Sequence, residues 1–131
     1  MNHNPPTIRQ YGFRLSIWDV LILALGFGLT WWLHSTDFPL CWVVPMALGH
    51  FFLFCNVFLV WRVLELLWAG VLVVNIGVHL ALGDWGWWPA CGWQLPMTIF
   101  VILLQWRSPW YHGIFARRIN PRLDDYLCGK L

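Results

Sequence analysis

The sequence predicts an all-α protein: an integral membrane bundle of four transmembrane helices with both termini cytoplasmic. Three observations predict it. Residues 39–83 form a run of 45 residues with only two charges, Arg62 and Glu65. One spanning helix needs roughly 20 apolar residues, so this run suits a hairpin of two. All eight Lys and Arg residues fall on one side of a four-span arrangement. The positive-inside rule makes that side cytoplasmic. Tryptophans gather at the predicted ends of the helices, where an indole ring meets lipid and its N–H meets water.

Composition agrees. The chain has 131 residues, 60% hydrophobic and 11% charged. Soluble domains carry roughly 25% charged residues. A single core of this size could not hide so much apolar surface from water. The length suits one domain, residues 1–131. A net charge of +2 with this apolarity points to the lipid bilayer and to protein partners within it, and away from nucleic acid. The expected location is the bacterial inner membrane.

Residues 1–13 are a polar lead containing Pro5, Pro6 and Arg9. No small-residue cleavage site follows the first apolar stretch, so it is expected to remain as a helix rather than serve as a signal peptide. That first helix is predicted over 16–33. Ser16 can cap it, and Asp19 lies in its first turn, where a carboxylate suits the helix dipole. A loop with Asp37 and no basic residue follows. Helix two is predicted over 39–61, opened by Pro39 and kinked at Pro45. Helix three is predicted over 62–82, although no Gly or Pro marks the reversal before it. A single protruding helix is the alternative, but it would expose an apolar half to water. Residues 83–88 make a turn with Asp84. Helix four is predicted over 89–106, with a kink at Pro96. The tail, 107–131, carries four arginines and one lysine. It is expected to lie along the inner surface or clasp a partner there. Asn120 and Pro121 break any helix in it, and a short one can form over 123–127.

Trp31, Trp32, Trp42, Trp85, Trp87, Trp88 and Trp93 mark the outer boundary of this arrangement. Trp18, Trp61, Trp106 and Trp110 mark the inner one. Interfacial belts explain them better than a platform for a sugar or cofactor.

Polar side chains within a span need a partner or a task. Asp19, Asn56 and Glu65 lie near the inner boundary, within reach of Arg14 and Arg62. The expected arrangement is an anchoring network, with Arg62 paired to Glu65 and Asp19 to Arg14. A proton or cation site is the functional alternative. His50 lies near the middle of helix two. Counting 1.5 Å per residue sets it opposite Val73 and Asn75, so a His50–Asn75 hydrogen bond is expected. Asn75 and His79 share a face of helix three with Glu65. The alternative is a cofactor: an imidazole, His50 or His79, can ligate haem or a chlorophyll-type pigment. Small residues on helix three (Gly70, Gly77, Ala81) and on helix one (Ala24, Gly26, Gly28) can let helices approach closely. Cys41 and Cys91 open helices two and four at similar depth on the outer side. A disulfide between them would enclose about 50 residues, if their Cα atoms come within about 7 Å.

No CxxC, HExxH, GxGxxG or Walker-type loop occurs. Three functions therefore stand from the sequence. The first is an accessory or assembly subunit of a larger membrane complex. The second is a haem- or pigment-binding redox protein using His50. The third is a small proton-coupled transporter using Asp19 and Glu65.

Overall fold

A computed structural model describes residues 9–131. Among them the chain is helical and has no strand. Helix α1 (Ile17–Ser35) is followed by α2 (Val43–Phe52), whose lower end widens into a π-helical segment (Leu53–Phe58). Helices α3 (Arg62–Ala81) and α4 (Trp87–Arg107) come next, then the short α5 (Ala116–Ile119) and α6 (Leu123–Leu127). Three helices, α1, α3 and α4, are long and apolar enough to cross a membrane. The α2 helix with its π segment is apolar but shorter.

Helix α1 starts as its sequence dictates. The Ser16 side chain accepts from Trp18 N, and Asp19 Oδ2 accepts from Ser16 N at 2.7 Å. Such a capping box satisfies orphan donors of the first turn and is worth about 1 kcal/mol.

Helix two departs from expectation. Residues 38–42 are spent on tight turns, with Cys41 N donating to Phe38 O and Val43 N to Leu40 O. The helix therefore opens at Val43, not at Pro39. Pro45 falls in its first turn, where backbone N–H groups lack an intrahelical acceptor anyway, so the kink expected there has no cause. At its other end Leu59 takes a left-handed conformation, φ 47°, and Val60 N returns to Phe54 O at 2.8 Å. A branched residue there costs about 1–2 kcal/mol. This is how the chain reverses without Gly or Pro. Trp61 is extended, and α3 begins at Arg62.

The long helices form one layered contact set. Phe54 of the π segment, Trp68 and Leu72 of α3 and Val101 of α4 make the main core. Helix α1 lies outside it against α2. Its one buried residue is Gly26, and a Cβ there would collide with Leu48 Cδ1. The small-residue face expected on α3 meets nothing: a Cβ added at Gly70 or Gly77 would find no heavy atom within 4 Å.

Residues 108–131 fold back as a cap. Tyr111, Ala116 and Leu123 form a second core, packed on Phe58 of the π segment and Trp106 of α4. Gly113 is needed there, because a Cβ would come within 2.7 Å of the Phe58 carbonyl oxygen. That approach lets Ile114 N donate to Val57 O at 2.9 Å, satisfying a carbonyl left over at the end of helix two. Gly12 N donates to His112 O at 2.7 Å, and Arg9 reaches the Leu131 carbonyl at 3.0 Å. The start of α1, the α2–α3 turn, the end of α4 and the cap thus meet at one end of the molecule. All eight Lys and Arg residues lie in those segments. Asp37 and Asp84 lie in the turns at the opposite end.

Candidate functional site

The polar side chains of the interior converge on α4. Gln94, Thr98 and Gln105 are buried, with Ala90 and Val101 on the same stripe. Spacings of three and four residues put them on one helix face. Each reaches a different neighbour. Gln94 Nε2 donates to the Trp68 carbonyl at 3.1 Å, and Gln94 Oε1 accepts from Asn75 Nδ2 at 3.4 Å. Asn75 also donates to the Ala90 carbonyl at 2.8 Å. Gln105 bridges the reversal between α2 and α3: its amide donates to Leu59 O at 3.0 Å and its oxygen accepts from Trp61 N at 3.3 Å. One side chain thereby satisfies both backbone groups of the strained turn.

His50 belongs to this network, but not as the sequence suggested. Its Nε2 lies 3.1 Å from Thr98 Oγ1, its Nδ1 lies 2.8 Å from the Met46 carbonyl, and its ring stacks on Trp68 at 4.4 Å. A carbonyl only accepts, so the proton sits on Nδ1. Nε2 then accepts from the Thr98 hydroxyl, which itself accepts from Trp68 Nε1 at 2.9 Å. The Gln94 carbonyl, 3.2 Å away, competes for the single Thr98 proton. The expected His50–Asn75 bond is therefore replaced by His50–Thr98. The depth count failed because helix two ends at Phe58, three residues short of the expected Trp61, and its π segment closes more residues per turn than an α-helix. Helix two is thus shorter below His50, and the ring meets Trp68, one to two turns nearer the α3 start.

His79 keeps to its own helix, with Nδ1 2.9 Å from Asn75 O. His50 and His79 thus have different partners and do not share a site. Both ring nitrogens of His50 are engaged, so a haem or chlorophyll-type pigment on His50 Nε2 would have to displace Thr98. A groove of about 420 Å³ flanks the ring, lined by Trp42, Met46, Gly49, Trp87 and Cys91 among others.

A second polar cluster sits at the basic end, tied by two consecutive residues of the π segment. Cys55 Sγ donates to Glu65 Oε1 at 3.3 Å. Asn56 is buried, and with its amide nitrogen turned toward them it donates to Arg14 O at 3.0 Å and to Asp19 Oδ2 at 3.3 Å. The anchoring ion pairs expected here, Arg62–Glu65 and Arg14–Asp19, are not formed. The Arg14 guanidinium instead donates to the Gln10 carbonyl. Among the described residues the ion pair present is Arg122–Asp125, at 3.7 Å. Cap and thiol partners are closer at hand for the carboxylates than the long guanidiniums are.

Cys41 and Cys91 are free thiols, so the possible bridge between them is not formed. Cys91 Sγ lies 3.8 Å from Met46 Sδ, one turn inside α2, rather than against Cys41. The start of helix two at Val43 leaves Cys41 in the preceding turn and out of register with α4. Two buried indole N–H groups, of Trp42 and Trp106, have no acceptor among the described residues.

Sequence reading singled out ionisable residues and passed over Trp68, Gln94, Thr98 and Gln105. The available signal was their period: uncharged polar residues at 94, 98 and 105 mark one stripe of a helix otherwise suited to lipid. In comparisons with known proteins no family model matches, and no curated protein or solved structure is similar to the chain.

Proposed function

We propose that the chain is a four-span membrane protein with both termini cytoplasmic, serving as an accessory or assembly subunit of a larger membrane complex. One observation carries this reading: the polar side chains that meet on α4 are spent on one another and on neighbouring backbone. Gln94, Thr98, Gln105, Asn75 and His50 bond to neighbouring helices and turns, as groups do that hold a scaffold in one register. The open faces supply what an assembly partner requires. Gly70 and Gly77 leave the α3 backbone free for close approach by another helix, and α1 buries only Gly26.

Native electrophoresis of the protein extracted in mild detergent tests the proposal. The expected result is co-migration with a distinct membrane protein. Gly70→Phe with Gly77→Phe should abolish it while leaving the unfolding midpoint unchanged. Migration as a lone chain from native membranes would refute the reading. A visible absorption band in the same material, lost in His50→Ala, would replace it with the haem or pigment reading. Proton-coupled solute uptake lost in Asp19→Asn and Glu65→Gln would replace it with transport.

A further inference from the structure

At the basic end, α4 and the cap flank an open cavity of about 440 Å³. Its polar wall holds Arg107, Ser108 and Arg122, and its apolar wall includes Leu103, Trp106 and Ile119. Among the described residues no acidic side chain lines it. We propose that this cavity binds the phosphodiester headgroup of an anionic phospholipid, with an acyl chain running along α4; the proposal rests on reading α4 as a membrane span.

The two arginines come from different segments, the end of α4 and the cap, and a buried side chain ties those segments together. Arg107 is the last residue of α4. Arg122 lies beyond the Asn120–Pro121 break. Asn120, 4% exposed, donates through Nδ2 to the Pro109 and Tyr111 carbonyls at 2.8 Å each and accepts from Arg122 N at 2.9 Å. One amide thus ties the segment after Arg107 to the residue that carries the second guanidinium.

Both guanidiniums keep donors to give. Arg122 Nε lies 3.7 Å from Asp125 Oδ2, beyond hydrogen-bond range, so the guanidinium fork can turn to two oxygens of a phosphate. Ser108 Oγ accepts from Trp110 N at 3.3 Å, so its proton is available to an anion. A phosphodiester carries one negative charge and acceptor oxygens in the forked geometry that guanidinium matches. The apolar wall selects an amphiphile. Leu103 is exposed, and Ile99, one turn earlier on the same face, is exposed as well. The wall therefore continues along the helix in the direction an acyl chain would take. Basic pockets at the cytoplasmic level of membrane helices are suited to such headgroups.

Native mass spectrometry and lipid titration of the purified full chain in mild detergent test the proposal. The probes are phosphatidylglycerol, phosphatidylcholine and inorganic phosphate. Phosphatidylglycerol should bind at least tenfold more tightly than phosphatidylcholine. Arg107→Gln with Arg122→Gln should abolish that preference, and Arg117→Gln with Arg118→Gln should retain it. Arg107→Lys with Arg122→Lys keeps the charge and the fold but not the fork, and should weaken the preference severalfold. Equal binding of the two lipids overturns the proposal, as does equal loss in both arginine pairs. Inorganic phosphate binding as tightly as the lipid would make this a free-anion site and also overturn it. The assay needs no protein partner, so its outcome is independent of whether the chain proves to be an assembly subunit.

Discussion

Helices α1 and α4 are similar in length and both apolar enough to cross a membrane, yet they are used in opposite ways. Helix α1 buries one residue, Gly26. Helix α4 buries five, and three of those are polar: Gln94, Thr98 and Gln105. In water the more apolar face is the one that hides. In hydrocarbon the lipid is as apolar as leucine, so burial follows hydrogen bonds and small residues instead. Helix α4 is held by what it donates and accepts. Helix α1 is held by a cap at its first turn, a glycine seat on Leu48 and the fastening of residues 12–14 to His112 and Asn56.

The largest effect that separates the two helices should come from Gln105→Leu. It leaves Leu59 C=O and Trp61 N–H unpaired in a turn that is already strained, at a cost of about 2–3 kcal/mol. Unfolding by denaturing detergent in mixed micelles measures it. A loss no greater than that of an exposed α1 residue would mean that α4 is held by packing alone. Thr98→Val keeps the shape and removes the link between Trp68 and His50, and should cost about 1 kcal/mol. Its signature is a shift of the His50 ring nitrogen resonances, and an unchanged imidazole spectrum would place Thr98 outside the network. Gly26→Val lifts α1 from Leu48, with overpacking of about 1 kcal/mol or more. Amide protection should fall in α1 and persist in α4; a uniform fall would show that the two helices unfold together. Phe27→Ala, on the exposed side of α1, should stay within about 0.5 kcal/mol, and a larger loss would reveal a packing partner for that face.

The smallest effect is one of pH, and it touches only the fastening of the α1 lead. Burial holds the His112 imidazole below the ordinary histidine value of 6.5, Arg14 and Arg9 push the same way, and its bond to the Trp110 carbonyl opposes them. The folded cap therefore binds this proton less readily than the unfolded chain. Its contribution is whole above the ordinary value and is lost as pH falls through it toward the lower folded value. The protection factor of the Gly12 amide, which donates to His112 O, taken against the intrinsic exchange rate at each pH, should fall between pH 7 and pH 5. The same pH dependence surviving in His112→Gln would assign it to another group.

The sequence by itself determined that this chain is helical, where α1 begins and where α3 begins. Ser16 and Asp19 complete a cap from within four residues, and a long apolar run must reverse somewhere near its one pair of charges. It also determined that Pro121 interrupts the tail and that a short helix follows at Leu123. These are local properties, set by backbone hydrogen bonds and by hydrophobic length. Only the tertiary structure decided who pairs with whom. A π segment shortens helix two and moves His50 from Asn75 to Thr98. Gln105 of α4 rescues a turn 46 residues away in sequence. Asn56 and Cys55 take the carboxylates that Arg14 and Arg62 were near enough to claim. Register between helices depends on rise per residue summed over a whole helix. A π segment and three residues lost to the reversal together shift it by a turn or more, and nothing in the local pattern at 53–61 announces either.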